Sequence, residues 1–213
     1  MRKVLIGFIA ASILLSGTAN AATAVSFKDA KTGLATLKVV DEVRAGYVRT
    51  KFKHWVGAGN GCDSRKAVII AEAIVKPVVE KGCVIKGGEW LSVYDLVKVT
   101  EAGKLDVDHM VPLAEAWDSG ASAWDDAKRE MYANDQTDPR HLIAVTGASN
   151  RSKSDRDPAE WLPTNKAYLC EYLTNWVSIK VRWNLSVDKI EKAAIETGLK
   201  SCKSTKFSVV PVK

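Results

Sequence analysis

Only three histidines occur in the 213-residue chain, His54, His109 and His141, so chemistry that needs an imidazole has few sources. His109 has the richest surroundings. It sits in the run Leu105-Asp106-Val107-Asp108-His109-Met110-Val111-Pro112-Leu113, whose alternation reads as a strand carrying Asp106 and Asp108 on one face and the imidazole at its end. One carboxylate, one amide oxygen and waters suit Mg²⁺, because hard divalent cations take oxygen ligands in near-octahedral shells. A neutral histidine nearby can deprotonate water near pH 7. The amide is sought in Asn150-Arg151-Ser152-Lys153-Ser154-Asp155. This run is read as a helix opening at Asn150 with Ser149 as its cap, so that free N–H groups and the dipole's positive end face a phosphate. Arg151 and Lys153 would add cationic charge there.

Several elements must position these groups. Asp63 is placed to cap a helix from Ser64 to Lys76 that buries Ala67, Ile70, Ala71 and Ile74 and is disturbed by Pro77. Two antiparallel strands are expected between Glu89 and Val111, joined by the Glu-Ala-Gly-Lys turn, with a further strand at Leu142–Val145 after an irregular stretch. Asp157, Pro158 and Glu160 look like another helix start. Tyr168, Tyr172, Trp176, Ile179 and Trp183 recur at three- and four-residue steps, a core-facing helical stripe, and Ser186 is expected to cap a last helix carrying Ile190, Ala194 and Ile195.

The chain as a whole is 46% hydrophobic and 26% charged, enough apolar surface for a packed core and against wholesale disorder. No repeat of the period that builds solenoids is present. Residues 1–21 read as a signal peptide, with Arg2 and Lys3 before the apolar run Val4–Leu15 and a small-residue triplet ending at Ala21. The mature protein is therefore expected to be secreted or periplasmic, without stable membrane association. Residues 22–36 read as a flexible lead and residues 37–213 as a single domain. The net charge of +6 includes Arg2 and Lys3, so the mature chain remains basic, which favours polyanionic partners without naming one. Cys62, Cys83, Cys170 and Cys202 form an even set in an exported chain, so two disulfides are expected. The pairing favoured is Cys62 with Cys83 and Cys170 with Cys202, since each closes a local loop. No Cys-x-x-Cys supports zinc instead.

The runs Asp106-Val107-Asp108-His109-Met110-Val111-Pro112-Leu113, His141-Leu142 and Asn150-Arg151-Ser152-Lys153 resemble secreted HNH endonucleases of the group related to GmrSD-type restriction nucleases. The first and last also resemble the HNH domain of the CRISPR RNA-guided effector nuclease. Tyr47-Val48-Arg49, Phe52-x-His54-Trp55, Gly61-Cys62-Asp63-Ser64-Arg65, Ala114-Glu115-Ala116-Trp117 and Asp157-Pro158-Ala159-Glu160-Trp161 extend the likeness over roughly residues 40 to 202.

The resemblance implies an α+β fold with a ββα-metal (HNH, His-Me finger) core at about residues 90–163, embedded in additional helices with a carboxy-terminal helical part at about 164–202, and stabilised by disulfides. It implies one divalent metal ion, Mg²⁺ first and Mn²⁺ second, held by Asp108 and Asn150, with His109 as general base. Asp106 and His141 are supporting residues: Asp106 either orients the metal's water shell or pairs with a lysine, and His141 stands where the family more often has Asn. Arg151, Lys153 and Arg65 are candidate nucleic-acid contacts, Arg65 equally a partner for Asp63 or Glu89. The implied activity is monomeric cleavage of DNA, with RNA left open, at little sequence specificity and leaving 5′-phosphates. Two other classes compete: a noncatalytic nucleic-acid or cell-wall binding module, and a glycan hydrolase using acids such as Glu89, Asp106 and Glu115.

Overall fold

The computed structural model describes residues 23–212; the expected signal peptide lies outside the described residues. The strands are β1 (Val25–Phe27), β2 (Gly57–Gly59), β3 (Cys62–Asp63), β4 (Val78–Glu80), β5 (Val84–Lys86), β6 (Trp90–Leu91), β7 (Lys98–Val99), β8 (Leu105–His109), β9 (Leu142–Thr146) and β10 (Phe207–Val209). The α-helices are α1 (Ala30–Leu34), α2 (Ser64–Glu72), α3 (Leu113–Asp118), α4 (Asp126–Ala133), α5 (Gly147–Lys153), α6 (Leu169–Trp183) and α7 (Lys189–Gly198). The fold is thus mixed α+β. Every sheet among the described residues is a two-stranded antiparallel pair.

The longest pair, β8 with β9, runs in register from Leu105 opposite Thr146 to His109 opposite Leu142. Its two faces meet different layers. Leu105, Val107 and Ala144 pack on Val68 and Ile69 of α2, while Ile143 and Val145 join the main core around α6. That main core contains the aromatic stripe as expected, with Tyr168, Tyr172, Trp176, Ile179 and Trp183 all buried. Disulfides join Cys62 to Cys83 and Cys170 to Cys202, the favoured pairing. The second ties the start of α6 to the chain beyond α7.

Several expectations need correction. The expected loose lead at 22–36 is, from residue 23 on, built into the fold: β1 pairs with β10, Phe27 stacks on Phe207 at 4.7 Å, and Ala30 and Leu34 of α1 are buried. Asp29 caps α1 by accepting from the Thr32 backbone N–H. Gly33 is what lets α1 approach, since a Cβ there would stand 2.4 Å from the Phe207 ring. Trp90 and Leu91 pair with Val99 and Lys98, so the two strands expected to pair across the Glu-Ala-Gly-Lys turn do not. The Glu-Ala-Gly-Lys segment forms a 3₁₀ turn at Ala102–Lys104, and β8 takes its partner from the matching five residues of β9.

Asp63 does cap α2, yet the helix stops at Glu72 and buries Ser64, Val68 and Ile69 instead of the expected face. Ile74 is exposed. Asp157 accepts from the backbone N–H groups of Ala159 and Glu160, but only a turn follows, because Pro163 removes a donor that a helix would need. Asp188, not Ser186, caps α7; Ser186 donates to the Ser119 carbonyl. Ile190 lies exposed on α7 while Ile195 is buried. Helices α3 and α4 occupy what the sequence reading left irregular.

Candidate active site

Strand β8, strand β9 and helix α5 form a continuous unit, because α5 begins directly where β9 ends. Thr146 makes that turn: its side chain accepts from the Ser149 N–H and so caps α5. Both Thr146 and Ser149 donate their hydroxyls to Asp95. Consequently α5 starts at Gly147 and not at Asn150, and Asn150 is the fourth helical residue. Its backbone is not a free helix start, which removes the expected helix-terminus phosphate site. With this phase Asn150 and Lys153, three apart, share the face turned to β8.

A cavity of about 240 Å³ is lined by Asp108 and His109 from β8, Asn150 and Arg151 from α5, and Arg49, among others. The imidazole of one strand end and the amide of a helix some forty residues later therefore meet in one space. His109 is buried, stacked on Trp55 with ring centroids 5.4 Å apart. Its Nε2 stands 2.9 Å from the Ala133 carbonyl oxygen. A carbonyl only accepts, so Nε2 carries the hydrogen and Nδ1 holds the lone pair. Burial, and next the neighbouring His141, hold the His109 pKa well below its ordinary value, so the ring is neutral. Asp108 and His109 do not hydrogen-bond to each other, since strand alternation sends them to opposite faces.

Asp108 is tied down at one oxygen. Its Oδ2 accepts from the Tyr94 hydroxyl at 2.6 Å and from the Lys153 ammonium at 2.7 Å. Lys153 also donates to the His109 carbonyl and is fully buried, so the expectation that it meets nucleic acid is overturned: its long stem points inward from α5, and its charge is spent beneath the cavity. Burial raises the Asp108 pKa and lowers that of Lys153, with their mutual attraction opposing both shifts.

Arg65 is likewise not at the cavity. Its Nη2 donates to the Leu105 carbonyl at the opposite end of β8, and it makes no ion pair with Asp63 or Glu89. Arg151 does line the cavity, with its side chain 74% exposed and Nη1 3.6 Å from Asp106 Oδ2. Asp106 pairs with that arginine and with Asn150, not with a lysine. His141 is sealed in the core, its ring edge-on to Tyr132 at 4.5 Å and 6.1 Å from His109. Burial lowers its pKa to about 4. It lies behind the catalytic histidine candidate and does not reach the cavity, which places it among packing residues. His54, bonded to the Phe52 carbonyl and edge-on to Trp55, is also a packing residue.

Four participants went unnamed as site residues in the sequence: Arg49, Tyr94, Trp55 and the Ala133 carbonyl. Arg49 and Trp55 lie inside runs that carry the family likeness, which was the available signal. Tyr94 and Ala133 act through long-range packing that no local pattern announces. Clusters of three acidic ligand atoms occur elsewhere among the described residues, around Glu42 with Glu115 and Asp118 or with Asp157 and Asp188, and not at this cavity.

A family model described as GmrSD restriction endonucleases, C-terminal domain, matches residues 83–196. The chain is also similar to a protein of Arthroderma benhamiae named "Uncharacterized secreted protein", 38% identical over 157 residues that cover 74% of this chain and 76% of that one. No solved structure matches. The chain belongs to the GmrSD C-terminal domain family, a nuclease-related family. No helix among the described residues is long and apolar enough to cross a membrane.

Proposed function

We propose that this chain is an exported, metal-dependent endonuclease of the HNH type that hydrolyses phosphodiester bonds of DNA with little sequence preference. The observation that carries the reading is that Asp108 and His109 from β8 and Asn150 from α5 line one cavity together with two arginines. In this reading β8, β9 and α5 constitute a ββα-metal core. Export is supported by the signal-like first 21 residues, by two disulfides and by the name of the fungal relative.

The donor set fits a hard divalent ion. Among the described residues both hydrogen bonds to the Asp108 carboxylate fall on Oδ2, and Asn150 spends its Nδ2 on Asp106, which leaves its carbonyl oxygen for the cavity. Two protein oxygens with waters completing the shell suit Mg²⁺ or Mn²⁺, and the lack of sulfur or multiple imidazole ligands disfavours zinc. When bound, such an ion supplies Lewis-acid stabilisation of charge on the phosphate.

The chain's own groups supply the rest. His109 Nδ1, left with its lone pair by the Nε2–H bond to Ala133, takes a proton from water. The resulting hydroxide attacks phosphorus, the bond to the 3′ oxygen breaks and that oxygen takes a proton from solvent while His109 returns its own to solvent, so the products carry a 5′-phosphate and a 3′-hydroxyl. Arg49 and Arg151 hold the phosphate with planar, permanently charged groups. Binding through backbone phosphates weakens steeply with salt.

The test is digestion of supercoiled plasmid in Mg²⁺ by wild type, His109→Ala and Asn150→Ala, with melting curves alongside. The expected result is a loss of about 10²- to 10⁴-fold for His109→Ala, comparable damage for Asn150→Ala, and abolition by EDTA. A wild type that binds plasmid without cutting it, or a His109→Ala variant that cuts at the wild-type rate, overturns the reading.

A further inference from the structure

The amide of Asn150 can face the cavity in two ways, and only one presents an oxygen. Its orientation is decided by a residue outside the cavity wall. Asp106 Oδ2 stands 3.2 Å from Asn150 Nδ2, and a carboxylate only accepts hydrogen bonds, so the NH₂ end must turn to Asp106 and the carbonyl end away from it. Strand alternation sets this up: Asp106 precedes Asp108 by two residues on β8 and shares its face. Gly147 keeps the approach open, because a Cβ there would lie 3.3 Å from Asp106 Oδ2 and 2.7 Å from the Arg151 guanidinium.

We propose that Asp106 is a positioning residue that fixes the amide of Asn150 so that its carbonyl oxygen serves as a cation ligand. The proposal rests on the metal-site reading above and concerns what aims one of the two ligands. Asp106 is chemically suited to this and to nothing nearer the reaction. It is not a wall of the cavity, and its carboxylate is engaged by Asn150 and Arg151. Asp108 is aimed by the same device from the other side, with Tyr94 and Lys153 claiming one oxygen. Each ligand thus has a hydrogen-bond partner behind it, as outer-shell groups of metal sites commonly do.

The alternative role for Asp106 is charge alone, drawing a cation from a distance without orienting anything. Asp106→Asn separates the two, since it keeps a carbonyl acceptor for Asn150 Nδ2 and loses the charge, whereas Asp106→Ala loses both. The side chain is 35% exposed, so both variants fold, which melting curves verify. The readout is binding of Mn²⁺ alone to the full chain, followed by the resonance signal of the free ion. Asp106→Ala is expected to weaken binding by about 10- to 100-fold and Asp106→Asn by less than about threefold. Adding Asp106→Ala to Asn150→Ala is expected to cost nothing further, because the group being aimed is already gone.

Equal weakening by Asp106→Ala and Asp106→Asn overturns the proposal in favour of charge, and wild-type affinity in Asp106→Ala overturns it outright. Both outcomes leave the metal site standing if Asn150→Ala still loses the ion. A wild type that binds no Mn²⁺, or an Asn150→Ala variant that binds it undiminished, overturns the metal-site reading and the proposal with it.

Discussion

Two fully buried lysines flank one indole, and they are built differently. Lys153 and Lys180 stand 5.8 and 5.7 Å from the ring centroid of Trp176. Lys180 lies between two carboxylates, Glu115 at 2.6 Å and Glu191 at 2.7 Å, and also meets Ser119 and the Ser186 carbonyl. Its charge is over-compensated, and the two acids, Glu191 first, raise its pKa although burial pulls the other way. Lys153 meets a single carboxylate, Asp108, and there burial wins and the pKa falls. One cluster crosslinks α3, α6 and α7, with Glu115 also facing a second cavity beside Glu42. The other lies beneath a cavity and holds a carboxylate ready for a second cation. The difference separates charge used to join helices from charge used to shape a site.

The largest effect expected from this contrast is on Lys180→Met. It leaves two carboxylates buried without their cation, and breaking such a cluster costs about 3–5 kcal/mol. Lys153→Met strands only Asp108, which keeps the Tyr94 hydroxyl, and is expected to cost less in urea unfolding. Cleavage should reverse the ranking: Lys153→Met lowers the rate per folded molecule, and Lys180→Met at low temperature does not. A Lys153→Met variant that cuts plasmid normally would erase the distinction.

A smaller effect concerns pH. Two acids share one ammonium, so burial, aided by Glu115 and opposed by Lys180, lifts Glu191 to about 7 from an ordinary 4.5. The folded state then holds a proton that the unfolded chain releases earlier. Stability contributed by this group is present below about pH 4.5 and is lost as pH rises towards 7. Glu191→Gln, which keeps an acceptor for the Trp176 indole N–H, should show a flatter melting temperature between pH 5 and 8 than wild type. Parallel curves for the two proteins would place the proton elsewhere in the cluster.

What was legible in sequence follows the same division between local and distant causes. The β8 strand, its two acids and the terminal histidine were readable because alternation and Pro112 are local signals. The start of α5 was misplaced because Thr146 and Ser149 are both competent caps, and Thr146 won by sitting at the strand end. That error of three residues hid the helical phase and with it the inward course of Lys153. Strand β1 escaped notice because its partner lies at the other end of the chain. Arg65 looked cationic and available, yet the carbonyl it satisfies belongs to a strand forty residues away. Composition favours exposure for a lysine or arginine, and only the packed structure reveals which ones are exceptions.

The smallest effect expected is at a lysine of the third kind. Lys104 pairs with Glu101 across one 3₁₀ turn at 2.5 Å, as short a contact as any in the buried clusters, with the two side chains 68% and 64% exposed. Distance alone would rank it beside Lys180. Water ranks it far below, since neither charge has been desolvated and each is as well solvated apart as together. Lys104→Ala is therefore expected to shift unfolding by less than about 0.5 kcal/mol, within the range of ordinary surface substitutions, and to leave plasmid cleavage unchanged. If urea titration instead gave a loss near that of Lys180→Met, burial would not be what separates the lysines, and the contrast between the two sides of Trp176 would have to rest on hydrogen-bond geometry alone.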